Sequence, residues 1–367
     1  LLERRERVPR GLLWAAPLLS IVATLTMGAA LFAFLGVDPV RGLGLFFIEP
    51  FKDGRALAEL SIKATPLLLV ALGLSVCFRS NVWNIGAEGQ FIVGAVFATG
   101  VAIHAGAHPV RPTFVAVLAA GALGGLLWST IPAFLRSRYH ANEILVSLML
   151  VYVAELSLDY LVYGPWKDPD GYNFPQTVLF PAATRVPRLI DGFRANVGLP
   201  IALLVALLAW LFLFRTARGF ELDVFGRSPR AARYAGFSDR RALFTAFLGS
   251  GALAGLAGAL EVAGPLGQLT PHVPVGYGFA GIIVAFVGRL HPIGVVLSSF
   301  LMSSFYIGGE LAQSRLGFPK SLTLVFQGVL LFALLACDSL VHFRIRGAAV
   351  AATDPAKELA PAEPKAS

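Results

Sequence analysis

Long apolar runs separated by short polar connections dominate the pattern of this chain. A helix needs about 20 apolar residues to cross the hydrocarbon core of a bilayer. On that measure the pattern predicts ten spans, at residues 12–35, 60–78, 90–105, 113–135, 142–163, 197–214, 242–263, 277–288, 292–309 and 322–340. The fold class predicted is therefore an all-α polytopic membrane protein. Residues 1–11 form a short polar lead, 12–341 the membrane domain, and 342–367 a tail whose Ala, Pro, Glu and Lys content predicts disorder.

Two elements break the pattern. The first is FRSNVWNIGAEGQ, residues 78–90, a polar island between the second and third spans. Non-helical backbone at membrane depth is tolerated only inside protein or beside a watery cavity, so the island is expected to line or support a path across the membrane. The second is the eighth span, too short to cross as a straight helix and ended by GRLHPIG, residues 288–294, where Pro292 interrupts helical hydrogen bonding. Paired interruptions in the two halves of a chain point to a transporter. The small residues of GSGALAGLAGALEVAG, 249–264, predict close helix contact.

Composition sharpens the class. Hydrophobic residues make up 56% of the chain and charged residues 14%, at a mean hydropathy of +0.71, which excludes an ordinary soluble domain. The net charge of +8 comes with arginines in short loops, a topology signal rather than a nucleic-acid surface. With the N-terminus inside, the majority of the 30 Lys and Arg fall on the cytoplasmic side, and an even number of spans returns the C-terminus there. Seven of them lie in the 215–241 segment, the strongest single anchor. Cys77 and Cys337 have neither CxxC nor Cys/His ligand spacing, so no metal site or disulfide framework is expected.

Candidate chemistry is sparse. GxxxxGK[ST], HExxH and GxSxG are all absent, so the chain is expected to have no enzymatic activity, no bound cofactor and no metal of its own. Ionisable residues inside apolar runs are the informative ones, because insertion costs them at least about 2.5 kcal/mol and they usually face a bundle interior or cavity. Glu88 lies in the island, and Glu155 and Asp159 share one face of the fifth span. Asn142 and Glu143 open that span, either as its cap or as polar groups facing the bundle interior. In the 215–241 segment, Ser228 and Pro229 start a short basic helix through Arg230, Arg233 and Tyr234 that Gly236 ends. Such a helix either lies at anionic lipid or docks a cytosolic partner.

NVWNIGAEGQFIVGA (81–95), GRSPRAARYAGFS (226–238) and GFAGIIVAFVGRLHPIGVVLSSF (278–300) resemble the membrane permease subunits of bacterial ABC importers for nucleosides and simple sugars. ANEILVSLMLVYVA (141–154) and GPWKDPDGYNFPQT (164–177) resemble the nucleoside branch in particular. The wider group includes ribose and branched-chain amino-acid permeases. The resemblance implies a type II importer-like permease in the bacterial cytoplasmic (inner) membrane. It implies a separate cytosolic ATPase that uses ATP and Mg, an extracytoplasmic substrate-binding lipoprotein that delivers to the 164–196 loop, and a related but different second permease. It also makes Ser228, Arg230, Arg233, Tyr234 and Gly236 the segment that rests on the ATPase. For a nucleoside, amides suit the path, with Asn84, Gln90 and Asn142 the candidates. Gly86, Glu88 and Gly89 are then expected at an inner gate or helix contact. Two alternatives remain at this stage. One is the same machine carrying ribose, another sugar or a branched-chain amino acid. The other is an ion-coupled transporter using Glu88, Glu155 and Asp159.

Overall fold

Thirteen α-helices carry the chain in the computed structural model, which describes residues 2–4, 10–105, 113–190, 192–319 and 321–345. In order they are α1 (Arg10–Phe34), α2 (Pro39–Phe47), α3 (Gly54–Arg79), α4 (Ala87–Ile103), α5 (Thr113–Tyr139), α6 (Glu143–Tyr163) and α7 (Gly198–Arg215). Then follow α8 (Ala217–Arg227), α9 (Pro229–Tyr234), α10 (Asp239–Glu261), α11 (Tyr277–Val287), α12 (Pro292–Leu316) and α13 (Ser321–His342). A short antiparallel pairing of Leu2–Arg4 with Phe343–Ile345 sets the first and last described segments side by side.

The all-helical class is as the apolar pattern predicts. Among the described residues, six helices are long and apolar enough to cross a membrane: α3, α5, α6, α7, α10 with its extension to Leu266, and α12. Shorter apolar stretches lie in α1, α4, α11 and α13. Of the expected tail, residues 346–367 lie outside the described residues, while 342–345 complete α13 and the strand pairing.

The central post is α3. From Ala64 onward it is apolar on nearly every face and almost wholly buried, as a stretch without a charged stripe must be, while Arg55, Glu59 and Lys63 mark one less buried face of its first turns. It packs against α10, α12, α11 and α7. By contrast α6 and α7 sit at the periphery with most of their surface uncovered. The small-residue run of α10 makes the close contacts expected of it: a Cβ at Gly255 would strike backbone atoms of Gly121 and Gly125 in α5.

The structure departs from the sequence pattern at several boundaries. α3 begins at Gly54 rather than 60, because Asp53 caps it by accepting the Ala56 N–H at 2.8 Å; Pro66 therefore lies in the helix interior. α4 begins at Ala87 rather than 90. The 215–241 segment is not one loop with a short helix but two helices, α8 and α9. The apolar pattern does not predict α2, although Asp38 caps it and Pro39 occupies its first turn. Charged ends lower the hydropathy of each of these stretches, so apolar counting passes over them.

Between α6 and α7, residues 177–186 are laid across the end of α10. The Thr177, Phe180 and Val186 N–H groups donate to the carbonyls of Leu269, Gly267 and Ala263 at 2.8–3.0 Å. α10 itself ends in a π turn, Val262–Leu266.

Candidate functional site

The site begins where α3 stops. Asn81 adopts a left-handed conformation at φ 53°, which asparagine tolerates, and the Val82 N–H returns to the Cys77 carbonyl at 2.9 Å to close the helix. Residues 80–86 then run without helix. Their polar groups are answered from within the protein. The Asn84 side-chain oxygen accepts the Gly86 N–H at 3.1 Å, and Ser147 of α6 accepts the Ile85 N–H at 3.3 Å. The Asn84 and Gln90 amides clasp each other by two bonds of 3.0 and 3.1 Å, and Asn84 also donates to Ser250 of α10 at 3.1 Å. All four of these side chains are buried. A broken backbone inside an apolar bundle needs such partners, and the polar residues of the island supply them.

Glu88 goes further afield. It lies in the first turn of α4, buried, and its carboxylate accepts the Gly276 N–H at 2.9 Å and the Gly278 N–H in a shorter bond. Those two groups open α11, the second interrupted element. Gly276 is left-handed at φ 83° and brings no side-chain cap of its own. Glu88 thus caps a helix that begins nearly 190 residues later, and a carboxylate at a helix N-terminus is favoured by the free N–H groups and by the macrodipole. The approach is close: a Cβ on Gly278 would collide with the Glu88 backbone nitrogen. Gly86 and Gly89 let α4 lie equally close to α6, where a Cβ would meet the Ser147 carbonyl at 2.7 Å and the Val151 Cα at 3.0 Å.

The two interrupted elements also touch at the other end of α11. Phe78 stacks on Phe286 with centroids 5.0 Å apart, and Trp83 lies 6.4 Å from the same ring. α11 has 11 residues, a rise of about 16 Å and roughly half a hydrocarbon core. It closes with the Leu290 N–H on the Ala285 carbonyl at 2.9 Å. Pro292 then opens α12 rather than breaking a continuous helix.

The basic segment is anchored to this same region. Arg79, the last residue of α3, pairs with Asp223 of α8 at 3.1 Å and lies over the Phe214 ring at 4.9 Å. Asp223 also holds Arg227 at 2.9 Å. Val76 of α3 packs with Leu222, Phe225 and Ala232, so α8 and α9 rest on the end of the central post. In α9, Ser228 caps by accepting the Ala231 N–H at 3.3 Å, and Gly236 turns the chain at φ 81°. Only Ala232 of α9 is buried; Arg230 and Arg233 are exposed and Tyr234 is 97% exposed. Arg233 pairs with Asp239 at 2.8 Å.

Of the sequence-predicted path residues, Asn84 and Gln90 come together, and Asn142 stands apart. It caps α6, accepting the Ile144 N–H at 3.0 Å beside an Arg136–Glu143 ion pair. Sequence reasoning missed Ser147 and Ser250, single serines in apolar helices whose partners are distant in the chain. It also missed Asp223. Among the described residues, cavities flank the bundle. One of about 430 Å³ is lined by Arg185, Arg188, Arg194 and Asn196 of the long loop. Another of about 470 Å³ lies beside Asn81, Arg136, Arg233 and Asp239. Among the described residues no cluster of His, Cys, Asp and Glu could hold a metal ion.

The family of the branched-chain amino acid transport system permease component matches residues 56–335, which include both interruptions and the basic segment. Curated relatives agree. The glucose ABC transporter permease protein TsgB13 of Haloferax volcanii is 32% identical over 94% of this chain and 93% of its own length. The guanosine ABC transporter permease protein NupP of Bacillus subtilis is 32% identical over 86% of this chain and 91% of its own. The nucleoside ABC transporter permease protein NupB of Lactococcus lactis is 26% identical over 86% and 89%. No solved structure matches.

Proposed function

Since the chain belongs to the family of the branched-chain amino acid transport system permease component, we propose that it is the membrane-spanning subunit of an ABC importer for nucleosides. The guanosine and nucleoside permeases to which it is similar support that substrate class. In this reading α1, α4, α11 and α13 complete a ten-span domain with both termini in the cytoplasm, set in the bacterial inner membrane. The chain hydrolyses nothing itself. A separate ATPase with ATP and Mg drives it, a binding lipoprotein delivers substrate at the 164–196 loop, and a related second permease completes the pathway.

The observation that carries the mechanism is the placement of α9. Its arginines and Tyr234 project outward, while α8 beside it is tied by Asp223 to Arg79 at the brink of the island. A push on Ser228–Gly236 by the ATPase would reach the end of α3, the 80–86 break and, through Glu88, the start of α11. Alternating access requires two states that differ in free energy. In this account the ATPase supplies the difference and the contact of the two interrupted elements is what changes. Asn84 and Gln90 serve as the scaffold of that junction, with Gly86, Glu88 and Gly89 as its packing surface.

A second reading, a simple sugar as cargo, is favoured by the glucose permease similarity. Uptake of labelled guanosine by cells expressing the full system separates the two. The nucleoside reading predicts competition by unlabelled nucleosides and none by glucose or ribose; competition by the sugars alone would establish the second.

A further inference from the structure

α6 presents an uncovered face of unusual chemistry. Tyr152, Leu156, Tyr160 and Tyr163 are 55, 69, 72 and 60% exposed and follow one another at spacings of four, four and three residues, a single helical ridge. Glu155 and Asp159 are half-buried along its flank, and neither carboxylate has an ion-pair or hydrogen-bond partner among the described residues. α6 is nevertheless one of the helices long and apolar enough to span a membrane. Glu155 lies two residues, about 3 Å, beyond the helix midpoint and Asp159 about 9 Å beyond it, both inside a half-core of about 15 Å. Facing lipid, a charge at the helix centre costs about 2.5–3.5 kcal/mol and less toward the interface, and short acidic side chains cannot snorkel to the interface as Lys and Arg do.

The uncovered face of α7, elsewhere on the periphery, has the chemistry of a lipid-facing surface. α7 exposes Leu204, Leu207, Leu208 and Leu211 with no charge between them. The difference between the two peripheral helices is thus in chemistry, not exposure. α6 also packs on α4, the helix that carries Glu88. A shallow depression of about 390 Å³ lies on the opposite flank of the ridge, lined by Val153, Leu156, Ser157, Tyr160 and Leu161 and not by the carboxylates.

We propose that Tyr152, Glu155, Leu156, Asp159, Tyr160 and Tyr163 line the water-filled path and contact the transported nucleoside. The assignment rests on the nucleoside reading given above. Tyrosine rings offer faces on which a planar base stacks, and the two carboxylates accept from ribose hydroxyls and base N–H groups. Water and cargo on this face also remove the cost of carboxylates in lipid.

The test uses the assembled transporter in a Cys77→Ala, Cys337→Ala background. Single changes Tyr152→Cys, Leu156→Cys, Asp159→Cys and Tyr160→Cys are treated with a membrane-impermeant, charged thiol reagent, with Leu204→Cys and Leu208→Cys of α7 as controls. The expected result is rapid labelling of the α6 positions, none of α7, and slowing by several-fold when guanosine is present. Separately, Asp159→Asn is expected to raise the KM for guanosine uptake about tenfold with a smaller change in kcat. Unlabelled α6 positions in a complex that transports guanosine would overturn the proposal, as would labelling that guanosine does not slow. Failure of the unmodified complex to transport any nucleoside would refute the underlying reading, and the nucleoside contact with it. The labelling contrast between α6 and α7 would then still report whether the face is wet.

Discussion

The Glu88 carboxylate accepts the backbone N–H of Gly278, joining the first turn of α4 to the first turn of α11. With the Gly276 N–H on its other oxygen, the carboxylate satisfies two donors that no local residue reaches. Leaving a buried donor unsatisfied costs about 1–3 kcal/mol. Glu88→Ala is therefore expected to lose roughly 2–5 kcal/mol and to lower the thermal midpoint of the detergent-purified complex markedly. Glu88→Gln keeps the shape and one acceptor and should lose less. An unchanged midpoint for Glu88→Ala would remove the carboxylate from the junction.

Gly278→Ala tests the same contact from the other side. The added Cβ meets backbone atoms of Ala87 and Glu88, which cannot rotate away. The expected outcome is loss of transport and of stability. Gly249→Ala in α10, where a Cβ meets nothing within 4 Å, is the control and is expected to be neutral or stabilising by up to about 1 kcal/mol.

How much of this was legible beforehand follows from the physics of each signal. Hydropathy alone located the central post and both interruptions, because twenty apolar residues in a row have few other uses. It also singled out Asn84, Glu88 and Gln90 as out of place. It could not say that Asn84 and Gln90 face each other, or that Glu88 caps a helix in the other half of the chain, since those partners are set by packing at long sequence separation. Ser250 carried no signal at all within its run of glycines and alanines. α2 and α8 were overlooked for the opposite reason: charges at their ends mask helices whose caps, Asp38 and Thr216, were in plain view.

The link between α8 and α3 yields a third prediction. Arg79 and Asp223 are both partly buried and 3.1 Å apart. Asp223→Ala is expected to leave ATPase binding intact but to lower transport per ATP hydrolysed, measured side by side in proteoliposomes. Tyr234→Ala, at a position 97% exposed, is expected to leave the thermal midpoint unchanged while weakening co-purification of the ATPase. Arg233→Glu should abolish that co-purification. Full retention of the ATPase by Arg233→Glu would remove α9 as its docking element.

A pH dependence follows at the other side of the bundle. Glu49, between α2 and α3, is held below its ordinary carboxylate value of 4.5 by hydrogen bonding to Arg315, whose guanidinium lies 3.1 Å away. A depressed carboxyl value means that the pair stabilises the fold above the ordinary value and loses that contribution as pH falls through the lowered one. Arg315→Gln is therefore expected to reduce the thermal midpoint at pH 7, with the difference from wild type shrinking below about pH 4.5. A difference that is constant from pH 7 to pH 3 would show that the pair contributes nothing.

ATP-driven uptake of labelled guanosine by proteoliposomes holding the complete complex, with ion gradients collapsed by ionophores, tests the central claim most directly. Uptake is expected to require hydrolysable ATP, to be indifferent to the ionophores and to be lost in Arg233→Glu. Uptake that follows an ion gradient and proceeds without ATP would contradict it.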